Sequence, residues 1–168
     1  MSFVGVVANR RCFDNLKKKL VEELKDENIN FIQINLRSIE NVKNIKFETI
    51  IIEDNLEKFK NNEKTLNQIL SNTEYLIVNT DKNKEENEKL KNKITYGLNQ
   101  NAIVTVSSIS DIDTLIYWQK PIKNKNGDII EIEEKRVKKI VKSTLRLYEI
   151  LIVYTFLKIY NKKIIDEI

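Results

Sequence analysis

Two adjacent arginines, Arg10 and Arg11, follow a short apolar run and precede the only cysteine, Cys12. Guanidinium forks match phosphate oxygens, so this pair could hold a phosphate or another small anion. Polar residues recur behind other apolar runs. They are Glu53, Asp54 and Asn55, then Asn79, Thr80 and Asp81, then Gly97, Leu98 and Asn99. Parallel sheets gather ligands outside the carboxyl ends of their strands, where such residues stand. The candidate ligand-binding set is therefore Asn9, Arg10, Arg11, Asp54, Asn79 and Asp81. Glu53, Asp54 and Asp81 could hold Mg²⁺ through oxygen ligands. Polar strand ends whose arginines pair with acids are the plainer reading, so no metal site and no cofactor is expected.

Other reactive side chains lack partners in the sequence. Cys12 falls near a helix start, where a thiolate is favoured, but no histidine exists to activate it. It reads as a packing residue. Ser107, Ser108 and Ser110 have no neighbouring base. Tyr117 and Trp118 are adjacent in a strand, so one faces the core and the other a rim. Few basic residues flank them, and a nucleic-acid platform is not favoured. No catalytic residue is assigned.

The composition narrows the classes further. With 168 residues, 41% apolar and 32% charged, the chain suits one globular domain. The absence of histidine excludes a His base, a His metal ligand and a His-containing triad. One cysteine excludes an intramolecular disulfide, and three glycines leave little for a Gly-rich phosphate loop. The net charge is only +4, but residues 134–168 hold nine basic and four acidic side chains. That excess reads as a solvated helix face. The start, MSFVGVVANRR, lacks a basic segment before its apolar run and reads as a strand instead of a signal peptide. Leu145 to Ile159 is interrupted by Arg146, Glu149 and Lys158 and is shorter than the roughly 20 residues that span a bilayer. A cytoplasmic protein with no membrane partner is expected.

The elements that must position these residues follow from periodicity. Strands are predicted at Phe3–Ala8, Phe31–Leu36, Thr49–Ile52, Tyr75–Val78 and Lys93–Tyr96. Helices fall between them, the first capped by Asp14 and using Leu16, Leu20, Val21 and Leu24. The second runs from Leu56 to Leu70 with a break near Asn61 and Asn62, and a short polar helix covers Lys82 to Asn92. The gap from Ser38 to Lys46 has room for a turn or a very short helix. Three further strands, 102–109, 113–120 and 128–132, have short links, with a hairpin signal at Asn126-Gly127. A long helix then runs from Glu133 or Glu134 to about Asn161. The expected architecture is a single α/β domain. Residues 1–100 form a Rossmann-like, mostly parallel five-stranded sheet with helices. A small antiparallel three-stranded meander (101–133) and a long C-terminal helix (134–162) follow. From Leu147 to Tyr160 this helix is apolar on more than one side, which needs two covering surfaces. Either one subunit buries both, or a second copy covers a face through Leu147, Leu151, Tyr154 and Lys158.

The segment YLIVNTDKNKEENEKLKNKITYGLNQNAIVTVSSI, residues 75–109, resembles the end of the central, ATP-binding domain of Mur ligases. Asn79 and Asp81 match the polar end of that family's apolar strand. Tyr96 and Gly97 match its Tyr/Phe-Gly strand end, and Ala102 to Val104 match the next segment. FETIIIEDN is similar to the strand before the family's metal-binding region, and the meander and final helix follow in the family's order. The resemblance implies a nucleotide-handling α/β scaffold. The departures matter as much. Where the family has a Gly-rich loop ending in Lys-Thr/Ser, this chain has Asn9-Arg10-Arg11-Cys12-Phe13. The family's Mg²⁺-binding His and Glu region, its modified lysine and its two flanking domains have no counterpart in these 168 residues. ATP-dependent ligase activity is not expected. The sequence therefore favours a non-catalytic structural or interaction protein on a degenerate Mur-ligase-like scaffold, self-associating or binding a protein partner through the last helix. The alternative is a module that binds a nucleotide or small anion at the strand ends near Arg10, Arg11, Asn79 and Asp81.

Overall fold

A computed structural model of the chain describes residues 1–25, 28–83, 92–138 and 145–162. The chain divides into two compact units, Met1–Ile94 and Thr95–Ile168. The hydrogen-bonded strand order is β10-β7-β6-β5-β4-β3-β1-β2, with β8 and β9 as a separate pair. This is a mixed α/β fold with a large, mostly parallel sheet. The expected grouping of five strands and three is replaced by eight and two.

In the first unit, β1 (Ser2–Val7) leads through α1 (Arg10–Glu23) to β2 (Ile29–Gln33). A single turn of helix, α2 (Ile39–Val42), then leads to β3 (Thr49–Ile52). A 3-10 segment (Leu56–Asn62) and α3 (Glu63–Ser71) lead to β4 (Tyr75–Asn79). The change of helix type at Asn62–Glu63 is the break that the two asparagines foretell. β1 pairs in parallel with β2 on one side and β3 on the other, and β3 pairs in parallel with β4. The first helix begins at Arg10, not after Asp14. Asn9 caps it by accepting a hydrogen bond from the Cys12 amide at 3.0 Å. Val21, predicted on the apolar face, is exposed, while Leu16, Leu20 and Leu24 are buried.

Both faces of this parallel sheet are apolar. On one face Val7, Ile50, Ile52, Leu76 and Val78 join Ile39, Val42, Phe59, Leu66 and Leu70 in one cluster. Period-2 alternation puts Val4, Val6, Ile51 and Ile77 on the opposite face, all of them buried. Gly5 lies on the cluster face. A Cβ there would sit 2.7 Å from Ile34 Cδ1 and 3.2 Å from Phe47 and Ile50.

The boundary between the units falls within β5 (Lys93–Tyr96). In the second unit β6 (Val104–Ile109) and β7 (Asp113–Trp118) pair antiparallel, as the short link predicts. The third strand is a correction. It is β10 (Glu133–Lys138), antiparallel to β7, and not residues 128–132. Between them β8 (Ile122–Lys123) and β9 (Ile129–Ile130) make a small hairpin whose turn holds Gly127 at φ 86°. The long helix is corrected too: α4 spans only Leu147–Ile159. Glu133–Lys138 alternate in exposure as a strand does, with Val137 buried and Arg136 and Lys138 exposed. Most of the polar helix expected at 82–92, and Ile140, Val141 and Thr144 of the last helix, lie outside the described residues.

Candidate ligand-binding crevice

The order β2-β1-β3 fixes where a site can form. The connection after β1 runs outward to β2 and the one after β3 runs the other way to β4, so the carboxyl ends of β1 and β3 part at a topological switch point. A crevice of about 380 Å³ opens there, lined from the ends of all three strands. Asn9 and Arg10 come from the β1–α1 junction, Gln33 to Arg37 from the end of β2, and Asp54 and Lys58 from the chain after β3. The polypeptide is held tightly at this point, with the Glu53 and Asp54 amides both donating to the Val7 carbonyl at 2.9 and 3.0 Å.

The polar groups of the crevice are largely pre-oriented. Gln33 Nε2 donates to the Ala8 carbonyl at 2.9 Å. Asn35 Oδ1 accepts from the amides of Arg37 and Ser38 at 2.9 and 3.1 Å, which shapes the turn after β2. Lys58 Nζ contacts both Asp54 oxygens, at 2.8 and 2.7 Å. Burial raises the Asp54 pKa, but the Lys58 ammonium and the Asn55 amide outweigh it and hold the carboxyl below its ordinary value. Arg10 Nε donates to Asp14 at 2.9 Å on the exposed face of α1. Arg37 is exposed, and its guanidinium has no ion-pair partner among the described residues.

The structure thus brings together three of the six candidate residues: Asn9, Arg10 and Asp54. Arg11 is exposed and lines neither cavity. Asn79 is fully buried at the end of β4. Its Oδ1 accepts from the Asp81 amide at 3.0 Å, and its Nδ2 has no partner among the described residues. Asp81 lines a separate cavity of about 590 Å³ together with Glu57, Lys60, Glu63 and Lys82. Glu53, buried at the end of β3, pairs with Lys82. Among the described residues no group of three His, Cys, Asp or Glu side chains could hold a metal ion.

Gln33, Asn35, Arg37 and Lys58 are absent from the sequence reading of the site. The signal was available for three of them. Residues after the second strand belong with those after its neighbours, but a strand drawn to Leu36 leaves Gln33 and Asn35 inside it. Lys58 becomes visible only from its (i, i+4) spacing to Asp54.

Other candidates resolve as packing. Cys12 is buried against the core. Trp118 is fully buried with its indole N–H donating to the Lys120 carbonyl at 2.6 Å, while Tyr117 is half-buried. Ser107 donates to Glu134 at 2.6 Å and Ser110 to Asp113 at 2.8 Å, both on the exposed part of the β6–β7 hairpin. On α4, Leu151 and Tyr154 are completely buried within the chain, so they offer no surface to a second copy. Leu147 is half-buried, and Lys158 pairs with Glu133 at 2.5 Å. Of the four residues expected to face a second copy, Leu151 and Tyr154 are thus covered within the chain. Among the described residues no helix is long and apolar enough to cross a membrane. Neither a protein-family model nor a curated protein sequence matches this chain.

Proposed function

We propose that this chain is a non-catalytic binding module for a nucleotide or another small anion, with the crevice at the ends of β1, β2 and β3 as its site. One observation carries the reading: the crevice at the β1/β3 switch point is rimmed by Arg10, Arg37 and Lys58. Doubly wound sheets place their ligands at this position because the diverging loops leave a crevice there. Volume and lining fit a small molecule: the size is toward the lower end of ordinary ligand sites, and Ile34, Leu36 and Phe59 add apolar wall. The resemblance of residues 75–109 to the end of a Mur ligase central domain agrees with a scaffold of nucleotide-handling ancestry. Self-association through α4 is not part of the reading, because Leu151 and Tyr154 are already buried within the chain.

The test is a thermal-shift panel on the full chain with inorganic phosphate, nucleoside mono-, di- and triphosphates and dicarboxylates. A ligand that binds only the native state raises the midpoint with concentration. We expect at least one phosphate-bearing compound to do so, and the Arg37→Glu variant to lose the shift while melting normally without ligand. No shift with any anion in the panel, or an undiminished shift in Arg37→Glu, overturns the proposal.

A further inference from the structure

The charge and amide inventory of the crevice points to one ligand class, and we infer that the site takes a nucleoside monophosphate. The inference rests on the binding reading above and sharpens it. Two of the three cations on the rim are already engaged, Arg10 with Asp14 and Lys58 with Asp54. Arg37 is the remaining one among the described residues, and it is exposed. One uncommitted guanidinium matches one phosphate, which its fork can grip bidentately. A triphosphate would set several more negative charges beside the Asp54 carboxylate, which stays ionised because its pKa is lowered.

The rest of the lining asks for more than a phosphate. Gln33 gives one N–H to the Ala8 carbonyl, which fixes the amide's orientation and leaves its oxygen to accept. Asn35 has spent its oxygen on two backbone amides, so its nitrogen is the group left to donate. Both side chains line the crevice, two positions apart on the same strand end. A fixed acceptor beside a fixed donor complements a ligand edge that carries a donor beside an acceptor, as nucleobases and ribose hydroxyls do. The apolar wall of Ile34, Leu36 and Phe59 suits the faces of a ring. A bare phosphate would leave this half of the site unused, and a dinucleotide would exceed it.

Calorimetry on the full chain tests this with four nucleoside monophosphates, their nucleosides, their triphosphates without metal, and inorganic phosphate. The expected result is that at least one monophosphate binds about tenfold or more tightly than inorganic phosphate, its nucleoside or its triphosphate. Gln33→Leu should then weaken that monophosphate while leaving inorganic phosphate unchanged, which also reports that the variant is folded. Arg37→Ala should weaken both. Equal binding of phosphate and monophosphate, or tighter binding of the triphosphate, overturns the inference and leaves the broader reading standing. No binding by any of these compounds removes both.

Discussion

Single residues set the terms at the first strand and its junction with α1. Gly5 is required by space. An added methyl would meet Ile34 Cδ1 at 2.7 Å, and Ile34 is itself fully buried in the core cluster that also holds Phe47 and Ile50. Gly5→Ala is therefore expected to lower stability by about 1–3 kcal/mol, the usual cost of overfilling a packed core, read as a lower denaturant midpoint at unchanged slope. Gly127 is required for the opposite reason. Nothing lies within 4 Å of its added Cβ, but its φ of 86° is a conformation that side chains disfavour. At the junction, Asn9 caps α1 through the Cys12 amide. Asn9→Ala should cost about 1 kcal/mol through the lost cap, while Asn9→Asp, which keeps the acceptor, should cost much less. A ligand in the crevice would amplify the difference, since Asn9 lines that space as well. These three positions illustrate how unlike causes hide behind similar sensitivities.

At the scale of elements, the sequence was most readable where two signals agreed. β3, with its unbroken Thr-Ile-Ile-Ile, and β4, Tyr75–Asn79, are continuous apolar runs bounded by polar residues, and both are buried throughout. The second helix revealed even its internal break, because paired asparagines favour turns over helix interiors. Glu133–Lys138 look helical in sequence because Glu, Lys and Arg are good helix formers, while one buried Val137 in six residues gives no periodicity to contradict them. Pairing with β7 decided the matter: Glu133 lies opposite Trp118 and Val137 opposite Thr114. Propensity yields to a strand partner that the chain alone does not reveal. The site was half-legible for a related reason. Polar strand ends can be read from sequence, but the order β2-β1-β3, which makes one pair of ends diverge, is a property of the assembled sheet. The α4 reading makes its own prediction. Because Leu151 is wholly buried within the chain, Leu151→Ala should lower stability by about 2–5 kcal/mol. Its sedimentation should match that of the parent chain. A variant that keeps its stability but falls to a lower mass would mean that Leu151 is a contact between copies.

At the scale of the whole molecule, each of the two units holds a group that ties folding to acid. Each holds a carboxylate with a lowered pKa, Asp54 in Met1–Ile94 and Glu133 in Thr95–Ile168. For Glu133, burial raises the value, but hydrogen bonds from Lys158 and Tyr154 and the Lys158 charge bring it below the ordinary 4.5. A lowered folded-state pKa contributes stability above the unfolded value and loses it as pH falls through the folded one. The Glu133 contribution is therefore intact at neutral pH and is lost progressively as pH falls below about 4.5 toward the lowered folded value. Tyr154, which donates to Glu133 at 2.5 Å, has its own pKa raised by burial and by that carboxylate. Its contribution has the opposite sign, present below the unfolded value of 10 and lost as the phenol ionises above it. The single tryptophan lies in this unit, where Trp118 is buried 6.3 Å from the Tyr154 ring. Denaturant titrations followed by Trp118 fluorescence between pH 7 and pH 3 should show a falling midpoint in the parent chain. In Glu133→Gln the midpoint should start lower at pH 7 and fall less steeply, because the group that must be protonated is gone. Parallel curves for the two chains would show that Glu133 does not carry the acid sensitivity of its unit.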